Sequence, residues 1–161
     1  MAIFELRINK DPILRRKAVE VRNFDFSLSS LTENMFETMY DSKGIGLAAP
    51  QIGISQRLIV IDIEEIDADF PPLALVNPTI TESSGEELGE EGCLSLPDFR
   101  AIVRRSTEIS INAQNIDGQA VHFSAQGLMA RVLQHEIDHL DGILITDRLR
   151  PEDQELLEKV D

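Results

Sequence analysis

The hydrophobic periods of this sequence predict an α+β domain in which mostly antiparallel β-sheets pack around one central helix bearing a His-Glu-x-x-His pattern. Three observations carry that reading. Two stretches repeat apolar residues at steps of three and four, as amphipathic helices do. Shorter stretches alternate apolar and polar residues, or run apolar without a break, as strands do. These strands are joined largely by turn signals rather than by regularly intervening helices, which points away from a parallel βαβ sheet. At 161 residues the sequence fits a single domain, 1–161, long enough to bury a real core.

Asp11-Pro12 opens a short helix, with Asp as N-cap and Pro at the first helical position. Leu28, Leu31, Met35 and Met39 follow at steps of three, four and four, and predict an amphipathic helix that stops near Gly44. RLIVIDI (57–63) and PLALVNPTI (72–80) read as strands, the first too apolar to lie on a surface. Ile109, Ile111 and Ala113 alternate with Glu108, Ser110 and Asn112. Asp117-Gly118 then supplies a hairpin turn, and Val121 and Phe123 continue the return strand. Ser124 is placed to cap a second long helix from about Ala125 to Leu140, with Gly142 just beyond its end.

Composition narrows the function classes. Hydrophobic residues make up 42% and charged residues 27%, which excludes wholesale disorder. Fifteen Lys and Arg against 29 Asp and Glu give a formal charge of −14, so a broad nucleic-acid footprint is not expected. No apolar run approaches the roughly 20 residues of a membrane span. The opening MAIFELRINKDP lacks the apolar stretch of a secretory signal, so a cytoplasmic protein is expected. The charge is uneven: residues 61–99 hold eleven acids and no Lys or Arg, and residues 1–22 hold six basic and three acidic side chains. The acidic stretch reads as a solvated surface. A single cysteine, Cys93, excludes an internal disulfide and leaves its sulfur to other chemistry.

The second helix carries His135-Glu136-Ile137-Asp138-His139. Histidines at i and i+4 share a helical face and can share a metal ion, and Glu136 can reach a water at that metal without being a ligand. A catalytic metal needs a third protein ligand and an open position. Glu155 and Glu158 in the short charged tail are candidates, but Cys93, in Glu91-Gly92-Cys93-Leu94-Ser95-Leu96-Pro97, is the stronger one. The third histidine, His122, alternates with Val121 and Phe123, so it is expected at the surface without a function. GIGLAA (44–49) matches a dinucleotide-binding pattern by letters alone, but it follows a helix instead of a strand and Pro50 closes it. Gly44 and Gly46 instead let an extended peptide approach the backbone around Ile45, and Gln51 offers an uncharged donor for a developing oxyanion.

GIGLAAPQ (44–51), EGCLS (91–95) and HEIDHLDG (135–142), in that order, resemble the peptide deformylases, which remove the formyl group from the N-terminal methionine of new polypeptides. The resemblance runs from Asp11-Pro12-Ile13-Leu14-Arg15 through the hairpin before the last long helix. It implies that Cys93, His135 and His139 ligate one divalent metal ion, Fe²⁺ as the expected metal, with Ni²⁺, Co²⁺ or Zn²⁺ also supported. It implies Glu136 as the proton shuttle, and Gln51 with the backbone N–H of Leu94 as the oxyanion donors. N-formylmethionyl peptides and nascent chains would be the substrates, formate a product, and a monomer the working form. The competing enzyme reading is a zinc endopeptidase on the same helix, which would take a downstream carboxylate as its third ligand.

Helical spacing places Leu128, Val132, His135 and His139 on one face, so Leu128 and Val132 would wall an apolar hole beside the metal, with Ile45 opposite. Ile45, Gly46, Glu91, Gly92, Leu128 and Val132 thus form the expected substrate-facing set. Arg131 should point elsewhere, toward an acid. Glu91, if buried, needs a cation, and Arg100, Arg104 and Arg105 all qualify. Some family members dock on the ribosome through a basic C-terminal helix. Here the sequence after Arg150, PEDQELLEKVD, holds five acids and one lysine, so only weak ribosome contact is expected. Leu156, Leu157 and Val160 would pack this tail inward.

Overall fold

The structure, a computed structural model, describes residues 2–159, and for 158 and 159 the backbone only. A 3₁₀ turn at Pro12–Arg15 starts on Asp11, whose carboxylate accepts from the Ile13 N–H at 3.1 Å. Helix α1 (Phe26–Asp41) is capped by Asp25, which accepts from the Leu28 N–H at 3.3 Å. It buries Leu28, Met35 and Met39, and leaves Leu31 half-buried. Thr32 and Thr38 also face inward, where each hydroxyl donates 2.8 Å to the carbonyl four residues back and is thereby satisfied.

Five strands form one antiparallel sheet: β1 (Gly46–Ala48), β2 (Leu58–Ile61), β3 (Leu73–Ser84), β6 (Glu108–Gln114) and β7 (Ala120–Gln126), in the order β1-β2-β3-β6-β7. Between β3 and β6 the chain makes a separate two-stranded hairpin, β4 (Glu87–Cys93) with β5 (Leu96–Arg105). Every residue of β2 is buried because both faces of the sheet are covered. Ile59 and Ile61 pack with helix α2 (Gly127–Leu140), whereas Leu58 and Val60 pack with α1. The α2 core residues Met129, Val132, Leu133 and Ile137 meet Leu75, Ile109 and Ile111 on the same side. A third cluster joins Leu96, Phe99, Ala101 and Val103 of β5 to Ile145 and Leu149 of the C-terminal segment. Helix α2 is therefore the element that sheet and hairpin share.

Two expectations differ from the fold. Ser124 is not a cap: it stays in β7, where its hydroxyl meets that of Ser110 at 3.0 Å, and pairing continues to Glu108↔Gln126. Helix α2 begins only at Gly127, after Gln126. The ladder thus holds the expected cap and the two residues, Ala125 and Gln126, that the capping signal assigned to the helix. The hairpin β4–β5 was not anticipated as strands. ELGEEGC has no apolar alternation because its buried position is Glu91, and the alternation of β5 (Phe99, Ala101, Val103, Arg105) ends on an arginine. The end of α2 follows expectation: Gly142, at φ 73°, lets its N–H reach His139 O at 3.2 Å and the Ile143 N–H reach Asp138 O at 2.9 Å. No described helix is long and apolar enough to cross a membrane.

Candidate active site

The register of α2 stacks His135 and His139 on one face, their ring centroids 5.1 Å apart. Cys93 comes to them from the end of β4. A register shift between Gly92 and Cys93 breaks the ladder there and re-aims the thiol toward the helix. Cys93 Sγ lies 3.2 Å from His139 Nε2, and the ligand atoms of Cys93, His135 and His139 all fall within 4.8 Å of one another. A thiolate with two imidazoles is a transition-metal donor set, and three protein ligands leave a position open. Beside it the Glu136 Oε1 is buried without a hydrogen-bond partner. These residues fit a metal ion. Among the described residues no carboxylate joins the ligand cluster, so the downstream ligand that an endopeptidase would use is not in place at Glu155. The Glu158 side chain lies outside the described residues.

His135 is oriented from behind. Its Nδ1 pairs with Glu91 Oε1 at 2.9 Å, which leaves Nε2 for the metal. Glu91 is buried, and Arg105 grips it with two bonds of 2.9 Å while Arg131 adds a third at 2.6 Å. Burial pushes its carboxyl upward, but the hydrogen bonds from Arg105 and His135 outweigh this and hold it well below the usual carboxylate range. Of the three cations that the sequence left open, Arg105 is the partner; Arg100 pairs with Glu90 at 2.5 Å and Arg104 with Glu86 at 3.7 Å. Arg131 does pair with an acid, the same Glu91, but it is not turned away from the cavity, which it lines beside Val132. Glu91 lines the cavity as well, with both its oxygens held by Arg105, Arg131 and His135.

Gln51 is fully buried in the 3₁₀ turn Ala49–Ile52 that follows β1. Its Oε1 accepts from the Ala48 N–H at 2.9 Å, which turns its Nε2 toward Ser95 Oγ (3.1 Å) and Cys93 Sγ (3.7 Å). Sequence reasoning missed Ser95, whose only signal was a small polar residue two places after the cysteine. Glu136 is 4% exposed and sits against Gly46, where a Cβ would come within 2.6 Å of its Oε2. Burial raises its carboxyl to about 7, and the neighbouring His135 and Arg105 oppose that rise. A cavity of about 810 Å³ opens onto these groups, lined by Ile45, Gly46, Leu94, Leu128, Val132 and Gly92 among others. Val132 is buried, whereas Ile45 and Leu128 are about one-third exposed at its rim, at 37% and 36%. Gly92 admits the Arg100 guanidinium, since a Cβ there would lie 2.7 Å from its Nη1. His122 is exposed and pairs with Asn112.

An α+β domain that brings a hairpin cysteine to an HExxH helix, with a buried, unpartnered glutamate lining the same cavity, defines a metal-dependent hydrolase. Its relatives agree. The model of the polypeptide deformylase family matches residues 3–155. The chain is 45% identical to the peptide deformylase of Thermodesulfovibrio yellowstonii, covering 99% of this chain and 96% of that protein. It is 50% identical to that of Natranaerobius thermophilus, over 92% and 93% of the two chains. The crystal structure of a peptide deformylase from Legionella pneumophila superposes with a TM-score of 0.91 at 42% identity, covering 99% of this chain and 93% of that one. The chain belongs to the peptide deformylase family, and its reaction is hydrolytic removal of the N-formyl group from new peptides.

Proposed function

We propose that residues 1–161 act as one catalytic domain that deformylates N-formylmethionyl peptides and nascent chains, with Cys93, His135 and His139 holding one divalent ion, Fe²⁺ in its working form. The observation that carries this reading is the meeting of Cys93 Sγ with the two histidines beside the unpartnered Glu136. When bound, the ion supplies Lewis acidity, lowering the pKa of water and polarising the formyl carbonyl. Glu136 takes the proton of the attacking water and delivers it to the amine nitrogen as the C–N bond breaks, giving formate and a free N-terminal methionine. Gln51 Nε2 and the Leu94 N–H donate to the carbonyl oxygen as it gains charge. Ile45, Leu128 and Val132 hold the methionine side chain, and the bare backbone at Gly46 and Gly92 lets the peptide lie close. The enzyme works as a cytoplasmic monomer with weak ribosome contact.

Formate release from formyl-Met-Ala-Ser, run beside a peptide offering only internal bonds, tests the reading: the first is hydrolysed and the second is not. Cys93→Ala loses both the metal and the activity. A Cys93→Ala protein that keeps a stoichiometric metal ion refutes the ligand set, and metal analysis after anaerobic purification tests iron.

A further inference from the structure

An unbroken series of ion pairs leads from the ligand His135 to the protein surface. Glu91 Oε1 takes His135 Nδ1 at 2.9 Å, and Arg105 holds Glu91 through its Nε and Nη2, each at 2.9 Å. The remaining Arg105 nitrogen, Nη1, reaches Asp138 Oδ2 at 2.6 Å. Asp138 is gripped in turn from outside by Arg148, through Nε at 2.6 Å and Nη2 at 2.8 Å. From Arg105 outward, side-chain exposure rises: 3% at Arg105, 14% at Asp138 and 41% at Arg148.

We propose that Arg148 is a positioning residue for the metal site: by holding Asp138 it keeps Arg105 engaged on both sides, and so fixes Glu91 and the imidazole of His135. This rests on Cys93, His135 and His139 holding the metal. The physical reason lies in the guanidinium, a rigid planar fork: Glu91 takes one edge with two bonds and Asp138 takes Nη1, so both acids together set its position. Without Arg148, Asp138 Oδ1 turns to water and the carboxylate loses the grip that fixes its rotation, so its hold on Arg105 through Oδ2 loosens. Arg131 still braces Glu91, with its other bonds on the carbonyls of Val103 (3.1 Å) and Glu87 (2.9 Å), so the loss is partial. Arg148 ends a short 3₁₀ turn, Ile145–Arg148, that has a second tether: Asp147 pairs with Arg15. That second tether makes no hydrogen bond to the series that ends on His135, which makes it the control for anchoring the turn itself.

The test uses the Co²⁺-loaded full-length enzyme and three variants, Arg148→Ala, Arg148→Lys and Arg15→Ala. The readouts are Co²⁺ release to a chelator, the visible absorption of the Co²⁺ centre, and kcat and KM on formyl-Met-Ala-Ser. Loss of a direct partner of a metal-bound histidine costs about 10–100-fold in metal affinity, and Arg148 stands further out, so Arg148→Ala should release Co²⁺ roughly three- to tenfold faster. Its absorption bands shift, and kcat falls by a similar factor while KM stays within about twofold. Arg148→Lys lies between, because one ammonium replaces a two-point grip. Arg15→Ala matches wild type in release and spectrum, even where it lowers the melting temperature. Wild-type release and bands in Arg148→Ala, or equal acceleration in Arg15→Ala, overturn the proposal. Should Arg148→Ala not fold, Arg148→Lys carries the test: release no faster than in Arg15→Ala overturns it. A wild-type chain that binds no Co²⁺ removes the metal-site reading itself.

Discussion

Replacing Gly46 by alanine should slow the enzyme about 100-fold without removing its metal. Gly46 lies in β1, buried and paired with Ile61 of β2. It is not among the glycines with positive φ, so its backbone accepts a side chain without strain. The methyl, however, would stand 2.6 Å from Glu136 Oε2 and 3.1 Å from its Cδ and Cγ. Ordinary non-bonded contact begins near 3.5 Å, so the carboxylate must retreat by about 1 Å. A displacement of about 1 Å at a reacting group can cost about 10²-fold. Overpacking of this kind also destabilises by about 1–3 kcal/mol. The ligands are untouched, so metal per chain stays close to one. Formate release on formyl-Met-Ala-Ser, with metal content and melting temperature measured on the same sample, reads all three quantities. Glu136→Ala sets the floor, about 10²–10⁴-fold below wild type with the metal retained. If the methyl acts through Glu136, the double variant is no slower than Glu136→Ala alone. A Gly46→Ala enzyme within a few-fold of wild type, or a double variant much slower than Glu136→Ala, refutes the reasoning.

Other outcomes follow from the same geometry. Gln51→Ala should lower kcat more than it raises KM, because its donor is aimed at charge that forms only in the transition state; it should also lose some thermal stability, since it frees the buried Ala48 N–H that Gln51 now satisfies. The cavity walled by Ile45, Leu128 and Val132 should favour formyl-Met over formyl-Ala by more than about tenfold in kcat/KM, each missing methylene costing about 1–3 kcal/mol; similar rates would place the side chain elsewhere. Removing residues 152–161 should leave activity on free formyl peptides nearly unchanged and cost little ribosome binding, while slightly lowering stability, because Leu156 packs on the cluster of Leu96, Phe99 and Leu149. Tight, salt-sensitive ribosome association that disappears with this tail would contradict it. Tyr40, the one tyrosine of the sequence, donates to Asp62 at 2.5 Å, and burial followed by that acid raises its hydroxyl to about 12. The neutral phenol is thus favoured in the folded chain, a contribution present below the ordinary value near 10 and lost as pH rises toward 12. Ultraviolet titration should show Asp62→Asn ionising earlier than wild type, and coincident curves would exclude the contact.

Much of the molecule was legible because its signals are local. The steps of three and four that mark Leu28, Met35 and Met39, the unbroken apolar run of β2, the Asp117-Gly118 turn and the His-Glu-x-x-His spacing each arise within a few residues. The tail was only partly legible: Leu156 turns inward as expected, Leu157 is 40% exposed, and Val160 lies outside the described residues. The sequence by itself determined the two helix faces, the buried strands, the ligand pair on α2 and, through three motifs, the kind of enzyme. Tertiary structure alone decided what the buried charges do. Glu91 meets Arg131 and His135 across separations of 40 and 44 residues, and Arg105 meets Asp138 across 33. No period or cap encodes such pairs. The same distance effect hid the β4–β5 hairpin, whose inward positions are filled by Glu91 and Arg105, and overruled Ser124, which the β6 ladder holds in a strand. A polar side chain reads as surface until the fold supplies its partner, and here the partners arrive from elements far apart along the chain.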